Sequence, residues 1–142
     1  MSQFRIQIRV FVNNVSAERL WKIEKPIPPV QIATNLNLVE VNRKQEDILE
    51  VPFIFTINYI PPIAQISLKG EARVKGTKED ITKIHNIYVE KKPPPPQLFQ
   101  SIFNVAFAES ILITRTLNVP PPIPQIQPPS GQKKPQEPTY RA

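Results

Sequence analysis

The sequence predicts an α+β fold: a four-stranded antiparallel sheet of Greek-key order, backed by one long helix and one short helical segment. Three observations carry this reading. Four segments alternate apolar and polar residues with the period of two that a strand imposes. The links between them are one long crossover followed by two short connections, the Greek-key pattern that sets the first strand beside the fourth. A run of four prolines then separates the sheet from a segment with helical periodicity.

The first strand is the N-terminal stretch FRIQIRVFV, in which Phe4, Ile6, Ile8, Val10 and Val12 share one face and Arg5, Gln7 and Arg9 the other. Asn13 to Pro29 is too long for a hairpin and reads as the crossover. The second strand runs from about Val30 to Val41, with Val30, Ile32, Leu36 and Leu38 in register. The third, Leu49 to Ile60, places Val51, Phe53, Phe55, Ile57 and Tyr59 on one face and Ile54 and Ile60 on the other. Apolar residues on both faces predict a strand covered on both. The fourth, Ala64 to Val74, is the cleanest: Ala64, Ile66, Leu68, Ala72 and Val74 face in, and Gln65, Ser67, Lys69, Glu71, Arg73 and Lys75 face out. NRKQED (Asn42 to Asp47) and Pro61-Pro62 are short enough to be hairpin links.

Thr77 to Asp80 supplies a cap and early acidic residues, and Ile81, Ile84 and Tyr88 follow at helical spacing. This segment is short and β-branched, so a strand is its alternative. Pro93 to Pro96 ends it, since each proline lacks an N–H and disfavours helix in the residue before it. From Gln97 to about Thr116, Leu98, Ile102, Val105 and Glu109, with Phe99, Phe103 and Ala106, form an i, i+4, i+7 stripe. The final ILITRTLNV is poor in helix formers and reads as able to relax into extended chain. The domain is thus expected over residues 1–118. Residues 119–142 form a proline-rich tail, expected as polyproline II from Pro120 to Pro129 and disordered beyond.

The totals remove whole classes of function. With no cysteine and one histidine, His85, among 142 residues, zinc sites, disulfides and histidine-dependent triads fail for want of parts. His85 reads as a packing or surface residue. The three glycines, Gly70, Gly76 and Gly131, make no phosphate-binding loop. Glu46, Asp47, Glu50, Glu79 and Asp80 lie in charge-mixed stretches and read as solvated caps and loops. No catalytic residue, metal or cofactor is expected. No apolar run reaches a membrane span, and the N-terminus lacks a compact apolar signal region, so the cytosol is the expected compartment. Eighteen prolines, few glycines and no cysteine match the composition of heat-adapted proteins.

In its order of elements the chain resembles the SecB export-chaperone family. FRIQIRVFVNNVSAE is similar to that family's first strand and the turn after it, through Phe4, Ile6, Gln7, Val10, Phe11, Val15, Ser16 and Glu18. Trp21, Pro28 and the run Val30-Gln31-Ile32 resemble its crossover and second strand. ILEVPFIFTINYI looks like its Y-E-V-x-L-x-V-x-V-T strand, and AQISLKGEARVKG stands where its last strand belongs. PPPPQLFQSIFNVAFAESILI and NVPPPIPQI stand where it has a proline break, a long helix and an extended apolar tail. The similarity spans residues 4–126 in order and spacing. It implies ATP-independent binding of unfolded or nascent polypeptides in apolar grooves by a homo-oligomer. The residues it points to are Leu20, Trp21, Ile23 and Ile27 of the crossover, Ile32 of the second strand, and Phe99 and Phe103 of the helix. For Trp21, a lid over the core is the equal alternative.

One departure bears on partners. The family's contact with the translocation ATPase uses an acidic sheet surface, whereas this chain carries a formal charge of +6. If the first and fourth strands pair, Arg5, Arg9, Lys69, Arg73 and Lys75 share one face. That face reads either as solvated charge or as a contact for RNA or the ribosome. A basic RNA- or ribosome-associated protein on the same fold is therefore the alternative function.

Overall fold

The computed structural model describes residues 4–122. Its elements are β1 (Ile6–Arg19), β2 (Gln31–Leu38), β3 (Asn42–Gln45), β4 (Ile48–Ile60), β5 (Ala64–Gly76), α1 (Lys78–Val89) and α2 (Pro96–Leu117). The sheet is antiparallel in the order β1-β5-β4-β2, with β3 also on β4. The expected pairing of the first strand with the last is thus present: Ile8 lies opposite Val74, and Arg9 opposite Arg73.

Five strands form where four were expected. The NRKQED link is mostly strand: Asn42 and Arg43 pair with Glu50 and Leu49, and a bulge precedes Gln45 opposite Ile48. Its polar composition hides it, because this strand is held by β4's free edge and not by an apolar face.

β2 and β3 lie end to end along one edge of β4, and Pro52 marks the gap between them. Val39 N–H donates to the Pro52 carbonyl at 2.8 Å. In an antiparallel ladder a residue's N–H and C=O point to the same neighbour, so Pro52's missing N–H would have faced this gap. The proline therefore omits only the return bond to Val39 O, at the point where β2 has ended and β3 has not begun.

β4 alternates without a break: Leu49, Val51, Phe53, Phe55, Ile57 and Tyr59 are buried. β5 does the same with Ala64, Ile66, Leu68, Ala72 and Val74. The expectation that β4 is covered on both faces is corrected. Both helices pack on the inner face, and on the other face Ile54 is half-buried and Ile60 is 63% exposed. Apolar residues there sit among Glu50, Pro52, Thr56 and Asn58, a mixture that suits a face open to water.

β1 changes character at a bulge between Val12 and Asn14. Before it, Ile6, Ile8, Val10 and Val12 are half-buried; beyond it, Val15 is 56% exposed although it lies opposite buried Leu68. Gly70 makes the bulge fit. A Cβ there would stand 1.9 Å from the Phe11 carbonyl oxygen and 2.9 Å from Phe53 Cζ.

α1 starts at Thr77, whose hydroxyl accepts from the Asp80 N–H at 3.1 Å, and buries Ile81 and Ile84. The proline run then turns the chain into α2: Pro95 is the N-cap and Pro96 the first helical residue, where a missing N–H costs nothing. α2 continues to Leu117, so the expected loosening of ILITRTLNV does not occur. The reason is burial. Ser110 and Thr114 close the row Leu98-Ile102-Ala106, and their hydroxyls donate to Phe107 O and Ile111 O at 2.7 and 2.8 Å. Packing thus offsets weak propensity. Asn118, left-handed at φ 57°, ends the helix.

Val119 is buried, and Pro120 accepts a hydrogen bond from Tyr59 Oη at 2.6 Å. The chain therefore stays packed on β4 past the expected domain end at residue 118. The rest of the expected tail, residues 123–142, lies outside the described residues.

Candidate functional site

α2 packs over β1 and β5, and an apolar surface lies on the side of the helix that faces β4 and the β2 edge. Because i and i+4 share a helix face, Phe99, Phe103 and Phe107 form a second row beside the buried one. Their rings stack at 6.3 and 5.7 Å between centroids, with interplanar angles of 11° and 15°. Phe103 also meets Phe55 edge-on at 5.7 Å and 72°, a favoured aromatic geometry. Phe55 lies opposite Leu36 in the ladder, between the pairs Phe53–Leu38 and Tyr59–Ile32. The aromatic row therefore looks toward the inner side of β2, where Ile32, Leu36 and Leu38 are only half-buried. Phe99 is 39% exposed.

The predicted residues divide into two groups. Trp21, Ile27, Ile32 and Phe103 are half-buried and packed on the core. Leu20, Ile23 and Phe99 project to solvent, Ile23 being 83% exposed. Trp21 donates from Nε1 to Pro26 O at 3.2 Å, closing a turn within the crossover. Phe107, Leu36 and Leu38 belong to the same surface. They were visible in the sequence as members of apolar stripes but did not stand apart from core residues.

Sequence reasoning missed Arg19. Its guanidinium donates to Trp21 O at 2.8 Å, Lys22 O at 3.4 Å, Leu117 O at 3.0 Å and Asn118 O at 2.8 Å. One side chain thus ties the crossover to the C-terminal carbonyls of α2, groups that a helix leaves unpaired and that favour a cation. Leu20 N–H adds a bond to Ile63 O at 2.9 Å. Nothing in the local sequence distinguishes Arg19 from Arg5 or Arg9, since its partners lie 98 and 99 residues away.

The second predicted site is brought together by the β1–β5 register. Arg9 lies opposite Arg73 and Gln7 opposite Lys75, so Arg5, Arg9, Lys69, Arg73 and Lys75 share the outer face. Arg73 is not free: it pairs with Glu50 at 3.7 Å and Glu71 at 3.3 Å, while Lys44 reaches Glu50 at 3.5 Å. The Glu50 carboxyl is held below its ordinary value, chiefly by its hydrogen-bonding contact with the Glu71 carboxyl. Lys44 and Arg73 add to this against the opposing cost of burial.

Among the described residues no cluster of acidic or histidine side chains could hold a metal ion, and no helix is long and apolar enough to cross a membrane.

No family model and no curated protein sequence matches this chain. Solved structures do. One is the Mycobacterium tuberculosis Rv1957 SecB-like chaperone in complex with a ChAD peptide from the Rv1956 HigA1 antitoxin. It superposes with a TM-score of 0.61 over 87% of this chain and 91% of its own, at 14% identity. The fold is SecB-like. A Streptococcus agalactiae protein of unknown function also matches, with a TM-score of 0.41 and 12% identity, over 89% of this chain and 100% of its own. At such identities the likeness lies in the path of the backbone. The basic outer face and the Arg19 anchor are properties of this chain's own residues on a SecB-like fold.

Proposed function

We propose that this protein binds unfolded or nascent polypeptides without ATP, as a homo-oligomer in the cytosol, and releases them by simple dissociation. The observation that carries the reading is the half-open apolar surface of Phe99, Phe103 and Phe107 beside Ile32, Leu36 and Leu38. Open apolar area of this kind marks binding surfaces. Stacked aromatics hold extended apolar segments without demanding one sequence. Leu20 and Ile23 add exposed apolar area on the crossover. A further support is that the SecB-like chaperone of the same fold was captured with a peptide. The chemistry needs neither cofactor nor catalytic group, and the expected roles of Leu20, Trp21, Ile23, Ile27, Ile32, Phe99 and Phe103 are contacts only.

The test is suppression of aggregation of a chemically unfolded client, with and without ATP, beside the oligomer mass from light scattering. Equal suppression with and without nucleotide is the expected result, and Phe99→Ser should weaken it while the melting temperature holds. Failure of the unaltered protein to slow aggregation at equimolar subunits would sink the proposal.

A further inference from the structure

We infer that the outer face of the sheet is a second binding surface, for single-stranded RNA, independent of the apolar surface on the opposite side. The face is open: both helices pack on the inner side, and Arg5, Arg9, Lys69 and Lys75 are exposed. Four of its five cations, Arg5, Arg9, Lys69 and Lys75, have no carboxylate partner among the described residues; only Arg73 is taken up, by Glu50 and Glu71. Glu50 and Glu71 thus neutralise Arg73, and the unpaired Arg5, Arg9 and Lys75 cluster at one end of the β1–β5 pair, with Lys69 farther along β5 beyond Glu71. Successive outward residues of a strand stand roughly 6.6 Å apart, the scale of the phosphate repeat of an extended nucleic acid strand.

Two features favour a single strand over a duplex or an acidic protein. Phe11 is 42% exposed on this face, and the Arg9 guanidinium lies 5.6 Å from its ring centroid. An aromatic ring flanked by a cation is a platform for a stacked base. Opposite it stands Glu71, tied to Arg73, and beyond lie Asn14, Ser16 and Ser67, neutral donors and acceptors suited to sugar and base edges. A broad sheet also presents no helix or ribbon to enter a duplex groove. The occupant chemistry is therefore a polyanion with bases: phosphates on Arg5, Arg9, Lys69 and Lys75, and one base on Phe11.

The test is fluorescence anisotropy of the full chain with a labelled oligouridylate across a salt series. Each single-strand phosphate neutralised contributes about 0.7 to the slope of log affinity against log salt, so four cations predict a slope between about two and three. Lys69→Gln with Lys75→Gln should lower that slope by about 1.4. Phe11→Ala should weaken binding about fivefold or more without altering the slope. All variants should keep the melting temperature and the suppression of client aggregation, which separates this surface from the apolar one. Three results would overturn the inference. One is no binding of oligouridylate at low salt. Another is a slope unchanged by the double substitution but removed by neutralising Lys133, Lys134 and Arg141. The third is equal affinity for polyglutamate, which would make the face a site for acidic protein.

Discussion

Replacing Gly70 by alanine tests how β1 is seated on the sheet. The added Cβ would lie 1.9 Å from the Phe11 carbonyl oxygen and 2.9 Å from Phe53 Cζ. The ring can turn aside, but the carbonyl belongs to the bulged backbone of β1, so the strand itself must lift. Overpacking of this kind costs about 1–3 kcal/mol. Each neighbouring ladder bond that lengthens adds about 0.5–1.5 kcal/mol. Against this, alanine lowers the entropy of the unfolded chain, a gain of about 0.4–1 kcal/mol where the backbone accepts it. At the middle of these ranges the net expectation is a loss of about 2 kcal/mol, or roughly 8 °C in melting temperature. Gly76→Ala is the internal control. Its Cβ would meet a movable group, Ile6 Cγ2 at 2.8 Å, and the Arg5 carbonyl oxygen at only 3.0 Å, so its loss should be clearly smaller. Urea denaturation followed by circular dichroism reads both, and unchanged slopes would place the effect in the folded state. If Gly70→Ala is as stable as the unaltered chain, or costs less than Gly76→Ala, the close seating of β1 on β5 at the bulge is wrong.

Three other outcomes are expected. Tyr59→Phe removes the 2.6 Å bond to Pro120 O and should cost about 1 kcal/mol in denaturant melts near neutral pH. Burial pushes the Tyr59 phenol up to about 12 from 10, so its contribution holds below pH 10 and fades as pH rises toward 12; the gap between the two proteins should close there. Glu50 behaves oppositely: its folded value is lowered, so its stabilisation is present above the ordinary value of 4.5 and is lost as pH falls below it. The difference between the unaltered chain and Glu50→Gln in an acid titration should therefore vanish at low pH. Arg19→Ala should speed amide exchange in residues 20–30 while β4 and β5 stay protected, and Arg19→Lys should restore only part of that protection, because one ammonium cannot reach all four carbonyls.

What the sequence made legible follows from how far apart the partners stand. β4, β5 and the first half of β1 announce themselves, because alternation is local and the inner face is dry. The proline run reads as a joint for the same reason: four missing N–H groups allow a helix to start at Pro96 but not to cross. The basic face was legible as a conditional statement that needed only the β1–β5 pairing. Its pairing of Arg73 with Glu50 was not, since that depends on the register between β4 and β5. β3 stayed hidden because an edge strand can be polar on both faces. The persistence of α2 through Ile111 and Thr114 was illegible because its support is tertiary. Of the apolar surface, the aromatic row was readable from its spacing of four; its neighbours on β2 were not separable from core.

The anchor at Arg19 has a consequence for the order in which the molecule becomes complete. The carbonyls of Leu117 and Asn118 are made 98 and 99 residues after the guanidinium that binds them. Contacts closed over so long a loop form late and slowly. During synthesis β1 and the crossover emerge first, and Leu20 can bond Ile63 early, yet the Arg19 tie to Leu117 and Asn118 waits until α2 has been released and docked. A truncated chain ending before Leu117 would have all of its sheet sequence but a crossover without its tie to α2. The segment bearing Leu20 and Ile23 thus gains its Arg19 tie to α2 only after the rest of the domain has been made.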